Sequence, residues 1–161
     1  MIDRRAFLGL SGAAAVSGML AFGRSSGAAP ALRFPVNHSP AEWKRLLGPA
    51  RYAVLREAAT ERPFTSPLLK EHRRGVFACA GFDNPLFSST TKFESGTGWP
   101  SFWRVLPKAV VTRSDHSRMM ERTEVLCARC GGHLGHVFDD GPKPTGLRYC
   151  MNGLALKFRP A

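Results

Sequence analysis

The spacing of apolar residues in this chain changes character at about Gly75. Before that point the pattern is helical. Ser39-Pro40-Ala41-Glu42 reads as a capping box with proline at the first helical position, predicting a short helix to about Leu47. Gly48-Pro49 stops it, and Ala50 to Ala58 predicts a second helix with Tyr52, Leu55 and Ala59 turned inward. Thr60 to Phe64 ends the helical region. After Gly75 the apolar residues fall into strand-sized runs: Gly75 to Cys79, Pro85 to Phe87, Ala109 to Thr112, Arg122 to Leu126 and Leu154 to Phe158. Turn formers separate them at Asp83-Asn84-Pro85, Gly96-Thr97-Gly98, Gly131-Gly132 and Asp140-Gly141-Pro142. Runs punctuated in this way predict antiparallel sheets, and no βαβ alternation is present to suggest a Rossmann or thioredoxin fold.

The first thirty-one residues follow a different logic. Arg4-Arg5 is followed by the mildly apolar stretch Leu8 to Phe22, then by Arg24 and the small residues Ser25 to Ala31. This predicts a twin-arginine export signal over 1–31, and hence a periplasmic protein, rather than an uncleaved membrane anchor. Serines and glycines interrupt the apolar stretch and make it a poor membrane span. Leu32 to Asn37 reads as a loose leader, and 32–161 as one domain with a core of its own. Sixteen glycines and twelve prolines favour a loop-rich or β-rich fold over a helical bundle. The net charge is +11, and losing Arg4, Arg5, Arg24 and Asp3 with the signal lowers it by only two. Those basic residues are scattered, as at Lys44-Arg45, Arg73-Arg74, Arg113, Arg118 and Arg159. No reading helix or aromatic-basic alternation accompanies them, so no nucleic-acid partner is expected.

Four cysteines narrow the chemistry further. Cys127-Ala128-Arg129-Cys130, followed by Gly131-Gly132, has the knuckle spacing of a structural zinc site. Cys79 begins a similar knuckle, but Phe82 stands where a second cysteine would complete it. Cys79, Cys127 and Cys130 are therefore candidate ligands of an incomplete zinc site. A plain disulfide and a redox dithiol are the other readings of the same residues. Cys150 stands apart, two residues after Arg148, whose guanidinium is suited to activating a thiolate.

Several motifs together resemble the peptide methionine-R-sulfoxide reductases, the B-type family. They are Lys92 to Phe102, Arg122 to Val125, His133 to Phe138, and Gly141-Pro142 followed by Thr145 to Cys150. The resemblance runs in family order from about Trp43 to Phe158. It implies a mainly β fold of two packed antiparallel sheets with short N-terminal helices. It also implies reduction of methionine-R-sulfoxide by attack of Cys150, which becomes a sulfenic acid. By motif, His133, His136, Asp140, Arg148 and Asn152 match the catalytic positions, while Trp99 and Phe138 match the substrate-binding ones. The chemistry suits these residue types. A thiolate must attack sulfur, a proton must reach the departing oxygen, and an apolar face must hold the methyl group. Histidine supplies the proton chemistry near neutral pH, and a tryptophan face attracts sulfur weakly.

Two positions depart from the family pattern. Phe82 makes bound zinc doubtful, and no cofactor is required for the chemistry itself. Thr97 stands where many members carry a resolving cysteine, which leaves recycling to another internal cysteine, to an external thiol, or to a thioredoxin-like donor. Cys79 is the expected internal resolver. The protein is expected to be a monomer acting on oxidised methionine in proteins or peptides. A zinc-ribbon-like binding module and a slow redox sensor are the competing functions.

Overall fold

The computed structural model describes residues 32–117 and 120–161. The expected export signal over 1–31 lies outside the described residues. Among the described residues no helix is long and apolar enough to cross a membrane.

The helical region is α1 (Pro40–Glu57). Its start is the predicted capping box: the Ser39 side chain accepts from the Glu42 backbone N–H, and the Glu42 carboxylate accepts in return from Ser39 N–H at 2.8 Å. Such a cap stabilises a helix by about 1 kcal/mol. Gly48 interrupts the helix with φ 68 and ψ 171, so the region is two helical pieces meeting at a kink. Only a residue without Cβ adopts that conformation cheaply, and Pro49 begins the second piece with its φ already set. Trp43, Val54 and Leu55 are buried, while Tyr52 packs half-buried at the edge of the core.

Nine strands follow: β1 (Gly75–Cys79), β2 (Pro85–Ser88), β3 (Lys92–Phe93), β4 (Ser101–Phe102), β5 (Val110–Asp115), β6 (Arg122–Cys127), β7 (His133–Phe138), β8 (Arg148–Met151) and β9 (Leu156–Pro160). They form a three-stranded sheet in the order β2-β1-β9 and a six-stranded sheet in the order β3-β4-β8-β7-β6-β5, with antiparallel pairing throughout. The mainly β architecture matches the expectation from sequence. One boundary moves: Gly153–Ala155 is a 3-10 turn, so the last strand begins at Leu156 rather than Leu154.

The sheets meet through phenylalanines. Phe87 of β2 stacks on Phe102 of β4 with centroids 4.3 Å apart, and Phe77 of β1 meets Phe102 edge-on at 4.9 Å. All three rings are fully buried, and each contributes about 1.5–3 kcal/mol through the hydrophobic effect. Leu134 and Met151 extend the same core beneath β7 and β8. The opposite face of the six-stranded sheet carries the polar residues that build the site.

Candidate active site

Cross-strand register assembles this site. Cys150 in β8 pairs with His136 in β7, Arg148 pairs with Phe138, and Ser101 of β4 flanks Cys150 on its other side. Directly opposed residues share a face, so Cys150, His136, Arg148 and Phe138 all project together. Gly135 makes the close approach of these strands feasible, since a Cβ there would collide with the Cys150 carbonyl oxygen.

His133 should lie on the opposite face from His136, because residues three apart in a strand alternate sides. A register shift in the β6–β7 ladder changes that: Val125 pairs with Gly135 but Leu126 pairs with His133, leaving Leu134 as the extra residue of a bulge. The two imidazoles consequently meet edge-on with centroids 5.4 Å apart. Each is held by a carboxylate from the neighbouring hairpin. His133 Nδ1 donates to Glu124 Oε1 at 2.6 Å, and His136 Nε2 donates to Asp115 Oδ2 at 2.7 Å. These bonds fix the ring tautomers. The free nitrogens are Nδ1 of His136 and Nε2 of His133, the latter buried without a hydrogen-bond partner among the described residues.

Burial pulls the His136 pKa below its ordinary value; the hydrogen bond to Asp115 opposes this, and Arg122 and His133 nearby add to the lowering. Asp115 is held well below the usual carboxylate range by hydrogen bonds from Ser117, then His136 and Arg122. Burial pushes Glu124 upward, but hydrogen bonds from His133 and Arg113 more than offset it and keep the group ionised. Arg148 forms a bidentate pair with Asp140 at 2.8 and 2.7 Å and lies over the Phe138 ring at 4.4 Å. Its proton is held more tightly by Asp140 and, less strongly, by Cys150.

A pocket of about 120 Å³ opens at Cys150, lined by Thr60, Trp99, Arg122, Gly135, His136, Phe138, Cys150 and Asn152. Of the residues expected from sequence, Trp99, His136, Phe138, Cys150 and Asn152 thus come together directly. Arg148 flanks the thiol, His133 lies behind His136, and Asp140 is exposed and reaches the site only through Arg148. Thr97 Oγ1 lies 3.7 Å from Cys150 Sγ, so a hydroxyl occupies the contact position in which a resolving thiol was sought.

Glu61 was not anticipated, yet it organises one wall. Its carbonyl accepts from the Trp99 indole N–H at 3.1 Å, and its N–H donates to Asn152 Oδ1 at 3.0 Å. Its carboxylate accepts from the backbone N–H of Gly153 and, at 3.0 Å, of Leu154. Burial raises its pKa against the pull of those two donors. Arg122, Asp115 and Glu124 were also missed as site residues. Glu124 and Arg122 carried a usable sign, for they sit inside a strand-like motif where a buried charge must find a partner.

Cys79 is not among the residues that line the Cys150 pocket. It is wholly buried at the end of β1, and its sulfur lies 3.7 Å from that of Cys130. Cys79, Cys127 and Cys130 have sulfurs all within 4.8 Å of one another, close enough to hold a metal ion. They do not complete a tetrahedral zinc site. No fourth histidine, cysteine or carboxylate joins the group among the described residues, and Phe82 points outward, its ring 36% exposed beneath the Arg129 guanidinium. Asp83, the other candidate for the fourth place, is exposed and pairs with Lys157 at 3.5 Å.

Comparison with known proteins gives this geometry a family. Residues 47–160 match the SelR domain. The chain is 52% identical over 129 residues to the peptide methionine sulfoxide reductase MsrB of Leptospira interrogans, covering 80% of this chain and 98% of that protein. It is 54% identical over 126 residues to the MsrB of Agrobacterium fabrum, covering 78% and 93%. It is 57% identical over 123 residues to the MsrB of Bradyrhizobium diazoefficiens, covering 76% and 88%. These matches define the class as the methionine sulfoxide reductases, which are oxidoreductases. Within that class the chain belongs to the MsrB family.

Proposed function

We propose that this protein reduces the R-sulfoxide of methionine residues in polypeptides, with Cys150 as nucleophile. The observation that carries the reading is the pocket itself. It brings the Cys150 thiol together with His136, Trp99 and Phe138 around a cavity of about 120 Å³, a volume suited to a single side chain. Trp99 and Phe138 receive the S-methyl group. Cys150 attacks the sulfoxide sulfur while its thiol proton passes through His136 Nδ1 to the oxygen. The oxygen transfers to Cys150, so methionine leaves reduced and Cys150 is left as a sulfenic acid. Glu124 and Asp115 are positioning residues in this scheme, since they act through the two imidazoles.

Recycling runs through an external dithiol. The Thr97 hydroxyl cannot form a disulfide, and Cys79 is engaged with the other buried thiols. A first donor thiol displaces the sulfenic oxygen as water and forms a mixed disulfide with Cys150. The second donor thiol then attacks that bond, restoring Cys150 and leaving the donor as a disulfide. A thioredoxin-like protein is the donor class this scheme needs. The test is multiple turnover of epimerically pure sulfoxide peptides with dithiothreitol. The R epimer is reduced, the S epimer is not, and Cys150→Ser removes the activity; absence of R turnover overturns the reading.

The paired arginines at Arg4-Arg5 support export of the chain to the periplasm by the twin-arginine route. Replacing both by lysine should retain the chain in the cytoplasmic fraction, and unchanged fractionation would contradict the assignment.

A further inference from the structure

We propose that Cys79 and Cys130 close a disulfide that ties the end of β1 to the β6–β7 turn, leaving Cys127 as a buried thiol. The inference stands apart from the chemistry assigned to Cys150.

Four observations carry it. The Cys79 and Cys130 sulfurs are in van der Waals contact at 3.7 Å, and both residues are almost fully shielded from solvent. Cys127 lies within 4.8 Å of both other sulfurs, but it alone of the three also accepts from a side-chain amide, Asn84 Nδ2 at 3.5 Å, and its backbone N–H and carbonyl close its own turn onto Gly132 and Gly131. On the side of Leu55 the surroundings of the Cys79 and Cys130 sulfurs are apolar. A side chain at Gly81 would already touch the Cys79 and Cys130 sulfurs and a Leu55 methyl, and Leu55 also lies against Gly132. Finally, no fourth histidine, cysteine or carboxylate joins the group among the described residues. Three thiolates around a divalent ion would place a net negative charge in that buried layer. A disulfide between two of the three sulfurs is neutral and suits the same space.

Because both sulfurs are buried in the folded chain, the bond forms when local opening at the end of β1 or the β6–β7 turn admits a disulfide donor. Cys79 thiolate attacks a disulfide of the donor, a protein or small-molecule disulfide, to give a mixed disulfide. Cys130 thiolate then attacks the Cys79 sulfur and releases the donor as a pair of thiols. The two cysteine protons and two electrons pass to the donor. The link spans 51 positions in sequence, and closing so long a loop restricts the unfolded chain strongly.

The test uses the full-length chain, reduced and refolded in a glutathione disulfide buffer containing zinc, then alkylated in denaturant and digested. Mass spectrometry should find Cys79 linked to Cys130, with Cys127 and Cys150 alkylated and zinc well below one equivalent. Reductant should lower Tm by roughly 10 °C. Cys127→Ser and Cys150→Ser should both keep the link and the reductant-dependent change in Tm, whereas Cys130→Ser should lose them. Stoichiometric zinc with all three thiols alkylatable overturns the proposal. So does a link from Cys79 to Cys127 or Cys150, or complete alkylation of Cys79 and Cys130 after oxidation.

Discussion

The molecule holds two sulfur sites that differ in nearly every physical respect. At one, a single thiol, Cys150, is half-exposed in a pocket bordered by Arg122, His136 and Asn152, with Arg148 beside it. At the other, Cys79, Cys127 and Cys130 lie sealed against Leu55. A thiol reacts according to its access, its charged neighbours and the partner sulfur within reach. Cys150 has access and polar neighbours, and no other cysteine among the described residues lines its pocket, so in the proposed scheme its oxidised form is relieved from outside. The buried cysteines have sulfur partners but little access, which suits a structural link rather than turnover. Cysteine count alone therefore says little, and the environment of each sulfur assigns its task.

The largest effects should separate the two sites. Cys150→Ser should cut kcat for an R-sulfoxide peptide by roughly 10³-fold or more while leaving Tm within a few degrees. Cys127→Ser should do the reverse, with kcat within about twofold of the parent. Loss of kcat at Cys127 would dissolve the contrast between the sites.

Glu61→Ala should come next in size. It leaves the backbone N–H groups of Gly153 and Leu154 without their acceptor, at about 1–3 kcal/mol for each buried donor. Chemical denaturation would measure that loss, and KM should rise because the Trp99 wall rests on the same loop. Glu124→Gln should be milder in stability, because an amide still bonds Nδ1 of His133. It should nevertheless lower kcat by about tenfold by loosening control of the ring tautomer, with little change in KM. A KM effect alone would mean that Glu124 serves only to shape the pocket.

The smallest effect concerns pH. The folded-state pKa of His136 lies below its unfolded value, so the unfolded chain binds the proton more readily. Its contribution to stability is therefore complete above the unfolded pKa of about 6.5 and is lost as pH falls through the lower folded value. An NMR titration of the ring should show His136 less than half protonated at pH 6.5. A folded pKa above that would reverse the sign and remove the neutral base from the scheme.

Much of this contrast was legible in the sequence, but unevenly. The capping box at Ser39 and the break at Gly48 could be read because helix ends depend on a few local residues. Cys150, Trp99, His136 and Asn152 were legible through motif. The joint facing of His133 and His136 was not, because it depends on a bulge at Leu134 that the alternation of side chains conceals. Strands β7 and β8 were likewise read as motifs rather than as strands, since functional polar residues disrupt their apolar pattern. Asp115 and Glu61 are brought to the site only by long-range register and by a loop, which no local pattern encodes. For Cys79, sequence gave an unpaired thiol and left its neighbours unknown. Its closeness to Cys130 is a property of how two turns meet.

In the proposed scheme Cys150 alone takes up the oxygen, and no other cysteine among the described residues lines its pocket to release it. A single turnover settles this most directly: reduced protein, excess R-sulfoxide peptide, no added thiol, then dimedone and mass spectrometry. The account predicts one methionine formed per chain and a dimedone adduct confined to Cys150. Methionine formation accompanied by a disulfide from Cys150 to Cys79, Cys127 or Cys130 would contradict it.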